Sequence, residues 1–371
     1  LVPSRCVSSA TGVACARRGR VLHHYSTRSP RTVEVLAQDE NKAGGIFGWV
    51  TNNKSSEEAV YLDDDELTAS GGGAYVGQMI KSIGSRGEEG GKYMDVARNK
   101  WFVREKGSPS TSSAPPVLCL HGVLSQSYSY REMLDELSKN GFYCVAADWL
   151  GFGYSDKPAP KTQFSYDREG YLAQLDALVD ALDFQRKFSL VVQGFVFSHY
   201  AMEWAQANQD KLHSLVVLNS PISENASFPL VLNQLRTPLV ASFVAQDAMM
   251  PERFIEGGTM YVLTPDDADI YRKPFLESGD SGEALMEACK QAPTPQEYHA
   301  TLASGFAKGS WRVPTVVAWG TEDKYLGASE ADALKACNPE AVEVQLIDGA
   351  GHQVQEDYAE RVLGAVRRVL L

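Results

Sequence analysis

The chain has 371 residues, and its 35 basic and 47 acidic side chains give a formal net charge of −12. This acidic balance disfavours binding to DNA or RNA, whose phosphates require clustered lysine and arginine. The sequence has no run of 18 uninterrupted apolar residues, so it predicts no transmembrane span. Its six cysteines lie far apart without a Cys-x-x-Cys pair, which excludes a zinc ribbon and disfavours a disulfide scaffold. These bounds leave an acidic protein of mixed α/β composition.

The first 33 residues differ in composition from the rest of the chain. They contain no Asp or Glu, whereas arginine recurs among serine, threonine and small residues. Such a segment is typical of an organelle transit peptide, and a solvated basic tail is the alternative. The pair His23-His24 lies here without a third ligand nearby, so we expect no metal site.

Residues 34–91 are rich in Gly, Ser and acidic side chains, a composition that predicts an extended N-terminal arm. This segment also contains Phe47, Trp49 and Tyr75, which are unusual because a linker that only interacts with solvent rarely contains large aromatic side chains. Aromatic side chains dominate protein interfaces. We therefore predict that the arm binds a protein partner through these three residues. The alternative is that they fold back onto the parent domain.

From residue 92 onwards, apolar runs alternate with amphipathic helical periods. The apolar runs predict seven strands: Lys100–Lys106, Pro116–Leu120, Phe142–Trp149, Phe188–Gln193, Leu212–Asn219, Val313–Trp319 and Val342–Ile347. Near-continuous apolar strands separated by helices indicate a mostly parallel, doubly wound sheet covered on both faces. Residues 221–312 interrupt this alternation with proline-punctuated helical segments. They predict a helical cap over the carboxyl ends of the strands, between core segments 92–220 and 313–371.

Loops with characteristic sequences follow five of these strands. They are His121-Gly122, the stretch from Asp148 to Pro158, Gln193-Gly194-Phe195, Gly320-Thr321-Glu322-Asp323 and Gly349-Ala350-Gly351-His352. In this order they resemble the α/β-hydrolase superfamily over about residues 95–371, and within it the haloalkane dehalogenase and epoxide hydrolase branch. The sequence is more similar still to plastid-targeted plant and algal α/β-hydrolase-like proteins that share the Val-Val-Gln-Gly-Phe turn.

The resemblance implies a set of site residues. Asp323 matches the family's acid and His352 its base, while the backbone amides of Val123 and Phe195 match the oxyanion donors. The position of the nucleophile is Gly194, which has no side chain and so cannot form a covalent intermediate. Dehalogenase activity is disfavoured further, because Val123 replaces the halide-holding Asn and Phe195 replaces the Trp that follows the nucleophile.

Other polar residues near these motifs carry weaker expectations. Ser198 is one helical turn beyond Gly194, where a serine that packs within the helix is favoured over a displaced nucleophile. Cys119 and Cys144 lie inside predicted strands and are expected to be core residues. His121 is expected to support its loop. The pair formed by Asp323 and His352 is either a catalytic dyad or a buried hydrogen-bonded strut.

Three functions follow from these readings. The first is a non-catalytic scaffold or accessory subunit of a plastid complex, such as a membrane-bound thylakoid complex. The second is an enzyme that uses an Asp323–His352 dyad on a small apolar substrate. The third is a receptor that binds a ligand beneath the cap. The resemblance implies a plastid location, with a mitochondrial one as the alternative, and no cofactor is expected.

Overall fold

The computed structural model describes residues 86–371. Its strands, in chain order, are β1 Gly91–Val96, β2 Asn99–Lys106, β3 Val117–Leu120, β4 Cys144–Ala147, β5 Phe188–Gln193, β6 Leu212–Leu218, β7 Thr315–Gly320 and β8 Val342–Ile347. They form one sheet in the order β1-β2-β4-β3-β5-β6-β7-β8. The pairs β1–β2 and β2–β4 are antiparallel, and the pairs from β4 to β8 are parallel. The predicted α/β class and mostly parallel sheet are confirmed.

All seven predicted strands are present, and β1 is an eighth that the sequence analysis missed. β1 forms a hairpin with β2 through a turn at Ala97, whose φ is +54°. Along β1 only Val96 is buried, because the strand lies at the edge of the sheet. A strand with so little buried apolar surface produces no apolar run for sequence analysis to find.

Helices cover both faces of the sheet. In chain order they are α1 Arg131–Lys139, α2 Arg168–Leu182, α3 Phe197–Ala207, α4 Leu230–Leu235, α5 Val240–Val244, α6 Met250–Gly257, α7 Pro265–Glu277, α8 Asp280–Gln291, α9 Pro295–Phe306, α10 Ser329–Cys337, α11 Val354–Asp357 and α12 Ala359–Leu370. Because side chains alternate along a strand, Cys119 packs with α1 and α12 on one face. Its neighbours Leu118 and Leu120 pack with α2, α3 and α10 on the other.

The interval between β6 and β7 contains six helices, α4 to α9. Two of them start with strong local signals. The Thr264 side chain accepts a hydrogen bond from the Asp267 amide at the start of α7. At the start of α9, Thr294 and Glu297 form a capping box, with proline in the first turn of both helices. These caps explain why a proline-punctuated sequence is helical here.

The sheet brings the expected site residues to one edge. Gly194 follows β5, Asp323 follows β7 and His352 follows β8, so all three lie beyond the carboxyl ends of neighbouring parallel strands. Phe47, Trp49 and Tyr75, like the expected targeting segment, lie outside the described residues. Within residues 86–371, no helix is both long enough and apolar enough to cross a bilayer.

Candidate active site

A sharp strand-to-helix turn places Gly194 at the centre of the site. Gly194 has a φ of +79°, in the left-handed region that residues other than glycine rarely adopt. A Cβ atom added there would lie 3.6 Å from His352 Nε2 and 3.2 Å from the Cα atom of Gly122. The turn therefore points the missing side chain of residue 194 directly at the imidazole.

His352 and Asp323 are in contact. Nδ1 of His352 lies 2.9 Å from Oδ2 of Asp323, and both side chains are buried. Because a carboxylate only accepts hydrogen bonds, Nδ1–H is the donor and the neutral ring keeps its lone pair on Nε2. That lone pair faces Gly194, and Nε2 is buried without a hydrogen-bond partner.

Three further donors hold the Asp323 carboxylate in place. Its Oδ1 accepts hydrogen bonds from the amides of Tyr325, at 2.7 Å, and Leu326, at 3.1 Å. Its Oδ2 accepts one from Nδ2 of Asn219, at 2.8 Å, besides the bond from His352. The carboxylate is thus held by four hydrogen bonds, an arrangement that fixes both the tautomer and the orientation of the imidazole.

Aromatic rings enclose the imidazole. Phe195 stacks on His352 at 5.0 Å between ring centroids, and Phe254 of α6 and Tyr325 approach edge-on at 5.9 Å and 5.3 Å. The Tyr325 hydroxyl donates to the Phe254 carbonyl, which ties the two outer rings together. In this conformation the rings occupy the surroundings of the imidazole and shield it from solvent.

The backbone of His352 is held from two sides. Its amide donates to the Gly258 carbonyl, at 2.9 Å, just after α6. Its carbonyl accepts from Nε2 of the buried Gln193 side chain, at 3.0 Å, at the end of β5. The segment after α6 therefore packs directly on the site.

The two expected oxyanion donors have different surroundings. Val123 lies next to the Gly194 turn, but its amide donates to the Phe195 carbonyl at 3.1 Å. In this conformation the Val123 amide therefore already has an acceptor and is not free to bind an oxyanion. The Phe195 amide lies at the turn itself, close to Gly122.

The structure also places the remaining candidates. The Ser198 hydroxyl donates to the Gly194 carbonyl, one turn back along the chain, so this serine is used within the helix. His121 is buried, with Nδ1 bonded to its neighbour's carbonyl at 2.8 Å and Nε2 accepting from the Trp149 amide at 3.2 Å. Burial lowers the pKa of His121, which keeps it neutral. His121 thus supports its loop.

The cysteines expected in the core are buried. Cys119 and Cys144 are free thiols on neighbouring strands β3 and β4. Burial raises the pKa of Cys119 well above its usual value and that of Cys144 to about 12. Neither thiol is activated for chemistry. Among residues 86–371, no three His, Cys, Asp or Glu side chains are grouped so as to hold a metal ion.

Comparison with known proteins agrees with this geometry. Residues 115–248 match the family model described as alpha/beta hydrolase fold. The chain has the α/β-hydrolase fold. A haloalkane dehalogenase of Mycobacterium marinum is 25% identical over 265 residues, which cover 68% of this chain and 84% of that protein. Haloalkane dehalogenase 1 of Mycobacterium tuberculosis is 28% identical over 260 residues, covering 67% and 83%.

Solved structures show the same fold. Haloalkane dehalogenase DbeA from Bradyrhizobium elkani superposes with a TM-score of 0.64 at 22% identity, covering 75% of this chain and 98% of that chain. Epoxide hydrolase VrEH1 from Vigna radiata superposes with a TM-score of 0.59 at 20% identity, covering 75% of this chain and 96% of that chain.

In this α/β-hydrolase-fold protein, several residues that shape the site were missed by sequence analysis. Asn219 holds the carboxylate, and Gln193 holds the backbone of the histidine. Gln193 is the last residue of β5 and Asn219 directly follows β6. A polar residue at the carboxyl end of an apolar strand is a signal by which both could have been identified. Phe254 and Tyr325 gave no such signal, because an aromatic residue in a helix or loop more often packs in the core.

Proposed function

We propose that this α/β-hydrolase-fold protein has no hydrolase activity and acts as a scaffold or accessory subunit of a plastid complex. The observation that carries the first part is Gly194, whose missing side chain would point at the unpartnered Nε2 of His352. Hydrolases of this fold form a covalent intermediate on the side chain at that turn. Glycine offers no atom for the bond.

The rest of the site supports this proposal. The Val123 amide is engaged with the Phe195 carbonyl, and the imidazole is packed among aromatic rings. Ser198, the nearest hydroxyl along the helix, is committed to a backbone carbonyl. The relatives are named haloalkane dehalogenases, but Val123 and Phe195 replace the side chains that the resemblance implies would hold a halide.

Activity assays on the purified full chain test this part of the proposal. We expect no hydrolysis of p-nitrophenyl acetate, no halide release from 1-bromobutane and no opening of styrene oxide above the rate of a His352→Ala variant. A fluorophosphonate probe should leave the protein unlabelled. Labelling that disappears in a Ser198→Ala variant would contradict the proposal and identify Ser198 as a displaced nucleophile.

The location and the partner rest on sequence features. The acid-free, arginine-rich residues 1–33 support organelle targeting, and Phe47, Trp49 and Tyr75 supply apolar anchors for a partner. Residues 1–33 fused to a fluorescent protein should accumulate in plastids, whereas accumulation in mitochondria or the cytosol would contradict the location.

A pull-down from plastid membranes tests the arm. The full chain should retain a defined complex, and both deletion of residues 34–85 and the single change Trp49→Ala should lose it. If the complex survives the deletion while the melting temperature of the remaining domain falls, the arm is an internal clasp and the partner-binding role is wrong.

One observation favours a second candidate function. The Asp323–His352 pair keeps the 2.9 Å geometry of a working general base. Such a dyad could remove a proton from a small apolar substrate without a nucleophile, provided that the aromatic rings move aside. Screening the chain with weakly acidic apolar compounds would support this candidate if turnover occurs and both Asp323→Asn and His352→Gln abolish it.

A further inference from the structure

The cap carries an exposed apolar surface formed by Pro238, Leu239, Val240 and Phe243, which we call the cap patch. Leu239 is 85% exposed, Phe243 72% and Val240 40%. Val240 and Phe243 are three residues apart on α5, so they share one face of the helix. Large apolar side chains that cluster in contact with solvent mark interaction sites more often than single ones do.

Leu239 combines two unfavourable features. Its φ is +68°, in the region that favours glycine, and its apolar side chain is the most exposed among the large hydrophobic residues of the described chain. Neither feature is compensated by packing within the domain. Strained backbone that persists without internal contacts points to a functional constraint at that position.

The chain segment that forms the cap patch carries no charge of its own. The ten residues 237–246 contain no charged side chain. At one end, the Arg236 guanidinium turns inwards and donates to the carbonyls of Cys289 and Ala292. At the other end, Asp247 is neutralised by Arg253 at 2.6 Å. An apolar medium could therefore cover the protruding side chains without burying a charge of their own segment. Glu283 of α8, which lies beside Ser242 and Gln246 at this surface, has to stay in water.

These features favour a lipid surface over a protein as the occupant. A stable protein interface buries about 800 Å² on each partner and contains several direct hydrogen bonds. The cap patch has only a few protruding side chains and no charged group to pair. Shallow insertion into a bilayer needs only exposed apolar side chains without desolvated charge.

We propose that the cap patch inserts into the interface of an electrically neutral lipid bilayer. The formal charge of −12 opposes adsorption to anionic lipid, so the attraction must come from apolar burial. Binding through this patch does not depend on whether the site around Gly194 is catalytic, so the two proposals can fail separately.

Vesicle flotation of the full chain tests the proposal. Phosphatidylcholine vesicles should bind the protein, and vesicles containing anionic phosphatidylglycerol should bind it less at low salt. Phe243→Asp should reduce the bound fraction by about tenfold or more, because it removes one inserted side chain and adds a charge. Leu346→Asp changes a leucine that is 60% exposed on edge strand β8, outside the patch, and should leave binding unchanged.

The Leu239→Gly variant distinguishes a loss of vesicle binding from a loss of folding. Glycine relieves the positive φ, so this variant should melt at the same temperature as the parent or higher, yet bind vesicles about tenfold less. A lower melting temperature would mean that the chain's own residues cover the patch. Loss of a dimer in sedimentation would mean that a second copy covers it. Either result, or no binding of the parent to vesicles, would overturn the proposal.

Discussion

Only one of the two ring nitrogens of His352 forms a hydrogen bond. Nδ1 is bonded to Asp323, whereas Nε2 is buried beside the place of a missing side chain. A buried polar atom without a partner costs about 1–3 kcal/mol. The ring stays ordered because the charged hydrogen bond to Asp323 and the stacking on Phe195 offset this cost. At the residue scale we therefore expect the pair to act as a strut.

Replacing Gly194 by Ser tests how much of the site survives around the empty position. The variant should fold but lose about 1–3 kcal/mol, because a side chain at a φ of +79° is strained and Gly122 lies only 3.2 Å away. It should gain little esterase activity, since the Val123 amide is engaged elsewhere. Urea unfolding and p-nitrophenyl acetate hydrolysis check both expectations.

Gly194→Ala is the control for the serine variant, because it introduces the same strain without a hydroxyl. Similar stability losses in the two variants would assign the loss to backbone strain. Efficient ester hydrolysis by the serine variant alone would show that the oxyanion site is functional and would contradict the expectation.

Removing the carboxylate tests the strut. Asp323→Ala should lower the free energy of unfolding by about 3–5 kcal/mol, because it leaves Asn219, two amides and the imidazole buried without their acceptor. Asp332→Ala, at an exposed position of α10, should change it by no more than about 0.5 kcal/mol. Equal effects of the two substitutions in urea unfolding would argue against a structural role of the pair.

At the scale of elements, Glu330 of α10 joins the core to the start of the cap. Its buried carboxylate accepts hydrogen bonds from the amides of Ile222, at 2.8 Å, and Ser223, at 2.7 Å, and from the Ser223 hydroxyl, at 2.6 Å. These three bonds fix the direction in which the chain leaves β6. The sequence gives no sign of them, because the partners are more than 100 residues apart.

Glu330→Gln should therefore destabilise the protein by about 1.5–3 kcal/mol, since an amide replaces one acceptor with a donor that faces other donors. The exposed Glu340→Gln variant, which breaks only a surface pair with Lys308, should lose no more than about 1 kcal/mol. Thermal unfolding of both variants at neutral pH compares them. A Glu330→Gln protein as stable as the parent would show that this clamp contributes little.

The elements also show what sequence could and could not predict. Buried strands such as β5 are continuous apolar runs, and α1 ends before Asn140-Gly141, a pair typical of a helix C-terminus. The edge strand β1 has no such run. The contact between Asp323 and His352 was implied by the family resemblance of the loops, but the aromatic enclosure was not. Which cap residue reaches the imidazole depends on how distant helices pack, and local periodicity does not record that.

For the whole molecule, buried histidines link stability to pH. Burial lowers the pKa of His199 to about 4, and its Nε2 donates to the Pro221 carbonyl at 2.6 Å. The unfolded chain would bind this proton near pH 6.5 and the folded chain only near 4. Between those values the unfolded state holds more protons, so stability is complete above about pH 6.5 and falls as the pH drops towards 4.

We therefore expect the melting temperature to fall progressively as the pH is lowered from about 6.5 to 4.5. His199→Gln should have a lower melting temperature at pH 7.5 but a flatter pH profile, because glutamine does not titrate. Circular dichroism melts across this range make the comparison. Parallel profiles of the two proteins would show that other groups, such as carboxylates with low pKa values, dominate the acid response.

The aromatic rings around His352 should shift the NMR signals of its imidazole protons. Protons held over the face of a phenyl ring resonate far upfield of their usual positions, and His352 lies against Phe195 with Phe254 and Tyr325 beside it. Its carbon-bound ring protons should therefore be shifted upfield in an NMR spectrum, as should those of His199, which stacks on Tyr298 at 5.0 Å. Any molecule that enters the site must part these rings, and the shift would then collapse towards its ordinary value. The same packing that shuts the site thus supplies a label-free signal for its opening.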